Sequence, residues 1–374
     1  MAHFPASSLA AKLHAHRGTV RLYGTTPPRA DASSADVADA AARLVERVRA
    51  LPLDGFVVYD LQDESGRTDR PRPFPFVPKT DPRHCAGLLR RLSGHDAICF
   101  KCIGLLDERE WDAWLDETAI HYDIGLLSLV GRPVTRAAPY PMSLARAFQI
   151  AASHAGRFAP GGVTIAERHR NNGGEIRRMF DKQATGCGYF LSQTVYDAAL
   201  AADVLNRYAR ECHRWRVTPC RVVLSFAPCG GPRTLSLMKW LGIAIPREVE
   251  DRILTAESPL SESIDICRSS LRQILDAIPE NDLPLGFCVE SLSADRGEVE
   301  ASVELFHELN GIIVSGGRAA SGSAVRTQRC GAGFIAHGSA GAAEAMDGRE
   351  RPSTLSTERW DEPRPTGFQK QLCR

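Results

Sequence analysis

The sequence predicts a (β/α)8 barrel, and three observations carry that prediction. Eight short apolar runs recur across residues 20–310, with longer amphipathic segments between and after them. Most of the runs are near-continuous rather than alternating, the pattern of parallel strands buried on both faces. Strand-helix alternation over that length also matches the ordinary size of the fold, about 250 residues. A doubly wound open sheet is the competing architecture, but it usually carries a glycine-rich turn after its first strand. Here the first strand runs into Thr25-Thr26-Pro27-Pro28, which cannot play that role.

The strand candidates are residues 20–26, 55–61, 97–104, 124–131, 163–167, 189–195, 221–228 and 283–290. Helix candidates include 34–50, 108–117, 175–185, 198–211 and 298–309, and the long seventh connection, 231–277, holds several more. Residues 1–19 form a lead-in that lacks the charged-then-apolar order of a secretory signal. Residues 20–314 make the barrel. From Ser315 to Arg374 Gly, Ala, Ser, Arg and Pro dominate and apolar periodicity stops. Such a tail cannot bury enough apolar surface to offset its ordering entropy, so it is expected to be disordered.

Composition narrows the function classes. The 374 residues are 43% hydrophobic and 24% charged, enough for a full core. Forty-six Lys+Arg against 45 Asp+Glu leave a net charge of +1 and no basic excess for a nucleic-acid partner. No eighteen-residue apolar run suits a membrane span. The 11 cysteines are scattered. The one C-x-x-C, Cys99/Cys102, lies in a strand where positions three apart face opposite ways. Reduced thiols in a cytoplasmic protein, with no metal, are the expectation.

Barrel chemistry sits at the C-terminal strand ends. Those ends carry Thr25-Thr26, Asp60-Leu61-Gln62-Asp63-Glu64, Lys101, Glu167-Arg168-His169, Gln193, Cys229-Gly230-Gly231 and Glu290-Ser291. So many polar groups on one rim make an enzyme the leading class. Asp60, Asp63 and Glu64, followed by Arg67, Arg70 and Arg72, read either as a tuned general acid or as a solvated ion-pair loop; Glu64 is the member chosen as acid. Beyond the fifth strand, Glu175, Arg178 and Lys182 share one helix face near its start, suited to a phosphate or to plain surface pairing. His169 suits a ligand contact, a cap or packing. Gln193 lies among apolar residues and must find a partner, because a bare buried amide costs about 1–3 kcal/mol. A heterocyclic ligand or backbone could supply it. Gly230-Gly231 offers a phosphate loop or only a tight turn.

With these residues in place, the chain resembles the methylenetetrahydrofolate reductase family over residues 20–310. The sharpest stretches are GGVTIAERHRNNGGEIRRMFDKQATGCGYFLSQTVYDA, residues 161–198, and APCGGPRTLSLMKWLGIAIP, residues 227–246. LYGTTPPR and VVYDLQDESGRTDRPRPFPF look like a divergent subgroup. The resemblance implies a barrel that uses bound FAD to pass hydride from NAD(P)H to 5,10-methylenetetrahydrofolate, giving 5-methyltetrahydrofolate. It places His169, Glu175, Arg178 and Lys182 on flavin-contacting positions and Gln193 on the pterin-contacting position. The departures are specific. The family's strand-1 glutamate acid has no counterpart in residues 20–26, its strand-4 aspartate is missing from Val130-Gly131-Arg132-Pro133, and its strand-3 histidine is missing from Phe100-Lys101-Cys102-Ile103. An acid must then come from elsewhere, with Glu64 or Asp60 nearest in strand order. Direct hydride transfer without flavin is a variant reading. The rivals are a non-catalytic folate- or flavin-binding barrel and a methyl-transfer enzyme using reduced folate.

Overall fold

The computed structural model describes residues 8–64, 66, 68–131, 141–279 and 282–316. The low-complexity tail beyond residue 316, Arg67, Arg132 and Pro133 lie outside the described residues.

Eight strands alternate with helices in chain order. The strands are β1 (Val20–Thr25), β2 (Gly55–Val58), β3 (Asp96–Cys102), β4 (Leu126–Val130), β5 (Ala159–Thr164), β6 (Tyr189–Thr194), β7 (Arg221–Phe226) and β8 (Leu285–Val289). All neighbouring pairs are parallel, and β8 pairs back with β1 through Val20↔Gly286 to Tyr23↔Val289, closing the barrel. The helices are α1 (Leu9–His14), α2 (Ser34–Val48), α3 (Pro82–Ser93), α4 (Glu108–Glu117), α5 (Leu144–Ser153), α6 (Ala166–Asn172), α7 (Glu175–Ala184), α8 (Ala198–Trp215), α9 (Pro232–Trp240), α10 (Arg247–Thr255), α11 (Pro259–Ala277) and α12 (Arg296–Ser315). The long seventh connection holds three of them, α9 to α11.

The continuous apolar runs are explained by two cores. Alternate residues such as Leu22, Val57, Ile98, Leu191, Val223 and Cys288 fill the barrel interior. Their neighbours, among them Val58, Cys99, Phe190, Val222 and Val289, pack outward against the helices. Neither face meets water, so neither position is polar. Helix starts follow local chemistry. Ser33 with Asp36 and Asp107 with Glu110 close capping boxes, and Gly94 ends α3 in the left-handed region at φ 76°.

The lead-in is built into the fold. Leu9 and Leu13 of α1 belong to the interior core at the N-terminal end of the barrel. Arg221, 1% exposed, donates to the carbonyls of Lys12, Ala15, Arg17, Gly18 and Leu285. Burial pushes its pKa down to about 10.

One predicted strand needs correction. Residues 163–167 were expected to form the fifth strand, but β5 starts at Ala159 and ends at Thr164. Its opening Ala-Pro-Gly-Gly shows no apolar run because a large neighbour fills the space. A Cβ on Gly161 would stand 2.3 Å from the Tyr189 ring. Glu167, Arg168 and His169 therefore belong to α6 rather than to a strand end.

Cys99 packs in the outer core, whereas Cys102 reaches the cleft described below. The nine described cysteines are free. Among the described residues no helix is long and apolar enough to cross a membrane.

Candidate functional site

A cleft of about 730 Å³ opens at the C-terminal strand ends. Strand alternation decides which side chains enter it. Val57 points inward and Val58 outward, so Tyr59, next in line, returns to the interior, where its ring packs 4.7 Å from that of Phe100. On β8, Cys288 points inward and Val289 outward, so Glu290 also turns inward. Both Tyr59 and Glu290 line the cleft.

Glu290 is 9% exposed. It accepts a hydrogen bond from Thr194 Oγ1 at 3.1 Å and another from the Tyr59 hydroxyl. Burial pushes its carboxyl above the usual carboxylate range, and the two hydrogen bonds only partly offset that. Burial likewise raises the Tyr59 phenol, with the neighbouring Glu290 adding to the effect. The inward position on β1 is Gly24. A Cβ there would lie 3.0 Å from the Glu290 Cβ and 3.1 Å from the Tyr59 ring. The side chain from β8 thus fills the space that β1 leaves empty. The sequence placed Glu290 at a strand end but gave no reason to prefer it. The inward alternation of β8, counted from Cys288, was the available signal.

Asp60 lines the cleft but is committed to the scaffold. Its Oδ1 accepts from Gln62 Nε2 at 2.7 Å, and its Oδ2 from the Cys102 N–H at 2.9 Å, which ties the end of β2 to the end of β3. Glu64 lines the cleft from the following loop and is part-exposed. That loop is pinned to α9. The Arg72 guanidinium lies 5.0 Å over the Trp240 ring, Arg233 lies 4.2 Å over Phe74, and Trp240 Nε1 donates to the Arg70 carbonyl at 3.2 Å.

Gln193 faces the cleft, and its Nε2 donates to the Leu241 carbonyl at 3.1 Å. Backbone therefore supplies one partner of the amide. The β6–β7 register shifts between Leu191 and Thr194, and the Ser192 hydroxyl takes up the Ser225 N–H at 2.9 Å. An irregularity of this kind re-aims side chains beside functional sites.

The residues expected near a cofactor divide into two groups. Arg178 and Lys182 of α7, with Arg168 of α6, make a cationic wall on the cleft. Lys182 donates to the Val163 carbonyl, and burial lowers its pKa against the opposing effect of Glu175. Glu175 is fully buried and does not line the cleft. Its Oε1 accepts the Ile165 N–H at 2.9 Å, and its Oε2, 3.9 Å from Arg178, has no hydrogen-bond partner among the described residues. The Glu175 carboxyl thus holds the backbone just after β5 rather than a ligand in the cleft. His169, next to Arg168 on α6, is absent from the cleft lining, and its Nδ1 is buried with no hydrogen-bond partner among the described residues. Of the four residues that the resemblance places at the flavin, Arg178 and Lys182 line the cleft, and His169 and Glu175 do not. The residues present do not make a complete flavin site.

Gly230-Gly231 does not form a phosphate loop. The Gly230 N–H is already held by Glu298 Oε1 at 2.8 Å, and a Cβ at Gly230 would meet that oxygen at 2.6 Å. The pair lets the chain pack against a buried carboxyl.

The chain is similar to a solved structure of an uncharacterized protein from Clostridium thermocellum that binds two copies of 5-methyl-5,6,7,8-tetrahydrofolic acid. The two are 28% identical with a TM-score of 0.69, over 81% of this chain and 99% of that one. More distant likenesses are a 2,3-dimethylmalate lyase (10% identity, TM-score 0.45, 87% of this chain and 93% of that one) and the Xanthomonas albilineans dihydropteroate synthase (11%, 0.41, 79% and 94%). No protein-family model matches the chain. No curated protein matches it in sequence.

Proposed function

We propose that the cleft binds a reduced folate and that the protein is a cytoplasmic oxidoreductase, transferring hydride from NAD(P)H to 5,10-methylenetetrahydrofolate to give 5-methyltetrahydrofolate. The observation that carries this reading is the likeness, over nearly the whole of the other chain, to a protein that binds 5-methyltetrahydrofolic acid. That ligand is the product of the proposed reaction. The cleft suits it. Its floor offers an amide and a buried carboxyl to the heterocycle, and its cationic wall, Arg168, Arg178 and Lys182, offers charge to the carboxylates of a folate tail. Its volume is that of a site for one sizeable small molecule. The protein's part is to orient donor and acceptor and to exclude water.

The test is anaerobic NAD(P)H oxidation with 5,10-methylenetetrahydrofolate, after recording the visible spectrum of the purified protein. Folate-dependent oxidation supports the reductase. A co-purifying flavin band assigns FAD a part in it, and oxidation without the band assigns direct transfer. Binding of 5-methyltetrahydrofolate without any oxidation supports the second reading, a non-catalytic folate-binding barrel. What favours that reading is that β1 carries no carboxylate and its inward position is Gly24.

A further inference from the structure

The ring of 5,10-methylenetetrahydrofolate cannot accept hydride until one of its C–N bonds opens, and opening needs an acid. We infer that Glu290, reaching from β8 into the space left by Gly24 on β1, is the proton donor of this barrel; the inference rests on the reductase reading above. Four carboxyls line the cleft among the described residues, and the structure distinguishes them. Asp181 is exposed on α7, 4.0 Å from Arg177. Asp60 has both oxygens engaged as acceptors, by Gln62 and by the Cys102 N–H, so it is held as a strut between β2 and β3. Glu64 stands part-exposed on the loop after β2. Glu290 alone of the four is buried at the inward end of a strand, with Thr194 and Tyr59 fixing its orientation. A carboxyl kept from water there retains its proton nearer to neutral pH, as a general acid must.

The step balances simply. The Glu290 carboxyl gives its proton to N10 as the bond from N10 to the methylene carbon breaks, and the bonding electron pair stays on N10. The lone pair of N5 forms the iminium N5=CH2. Hydride from NAD(P)H then adds to that carbon, yielding the N5-methyl group and NAD(P)+. Glu290 recovers a proton from solvent. The titratable groups facing Glu290 are Tyr59 from β2 and Cys288 from its own strand; β6 presents Thr194 and β1 presents Gly24.

The experiment compares the full-length wild type with E290Q, Y59F and E64Q, reading kcat for NAD(P)H oxidation against pH and binding of 5-methyltetrahydrofolate by calorimetry. In the wild type, kcat should fall as pH rises, because the acid loses its proton. E290Q should lower kcat about a hundredfold or more, the ordinary worth of a positioned acid, and remove that limb while still binding the folate. Y59F removes a hydrogen bond that favours the ionised carboxyl, so the limb should move to higher pH. E290Q with near-wild-type kcat, or E64Q costing more than E290Q, overturns the assignment and leaves the reductase reading standing. A wild type that binds folate without oxidising NAD(P)H overturns the donor role and leaves a binding barrel. A wild type that binds no folate overturns both. If E290Q does not fold, a wild type without the alkaline limb, or a limb that Y59F leaves in place, overturns the assignment.

Discussion

Gly24 and Glu290 are packed against each other across the seam between β1 and β8, so closely that a Cβ on Gly24 would lie 3.0 Å from the Glu290 Cβ. The contact is to the root of the side chain, which cannot swing aside. Gly24→Ala should therefore cost about 1–3 kcal/mol through overpacking and should lower turnover by displacing Glu290 and Tyr59. Urea denaturation together with kcat measures both. Wild-type stability and rate in this variant would show that the seam tolerates a side chain.

Glu290 also gives stability a pH dependence. Its folded pKa is raised from 4.5, so the neutral buried form stabilises the fold fully below that value. The contribution is lost as pH rises through the raised folded pKa. Glu290→Gln should remove that part of the decline, read from urea midpoints across the acid-to-neutral range. An unchanged slope would place the decline on other groups, of which Glu167, also raised by burial, is the nearest candidate in kind.

The cationic wall should read the folate tail. Arg178 is half-exposed on the cleft. Arg178→Ala should weaken 5-methyltetrahydrofolate about tenfold, the worth of one charge-assisted hydrogen bond, and salt should erode the difference. Calorimetry with a methylated tetrahydropterin that lacks the tail should show no such loss. Equal losses for both ligands would put Arg178 at the ring instead.

Arg221 anchors the lead-in. Arg221→Met leaves five carbonyls without their donor and should destabilise the protein by about 3 kcal/mol or more. Proteolysis should then cut within residues 8–18 before the barrel. A loss below about 1 kcal/mol would mean that water replaces the guanidinium at little cost.

Much of the fold was legible because barrel strands are apolar on both faces, and runs such as 189–195 and 221–228 need no partner to be recognised. β5 was misplaced because its packing is inverted. Small residues at Gly161 and Gly162 receive the rings of Tyr189 and Phe148 from neighbouring elements, so the strand has no apolar run of its own. That slip carried Glu167 and His169 to a strand end they do not occupy. Gln193 in the last pair of residues of β6, Glu64 on the loop after β2, and Arg178 and Lys182 on α7 do reach the cleft. Glu290 was visible only as a strand-end residue. Its burial depends on Gly24, Tyr59 and Thr194, which come from three other strands and meet only once the barrel closes.

The central claim is that the C-terminal cleft holds a reduced folate. Titration of full-length protein with 5-methyltetrahydrofolate in a calorimeter tests it most directly. Saturable binding that Arg178→Ala weakens is the expected result. No binding by the wild type, or binding that substitutions along the cleft leave unchanged, would contradict it.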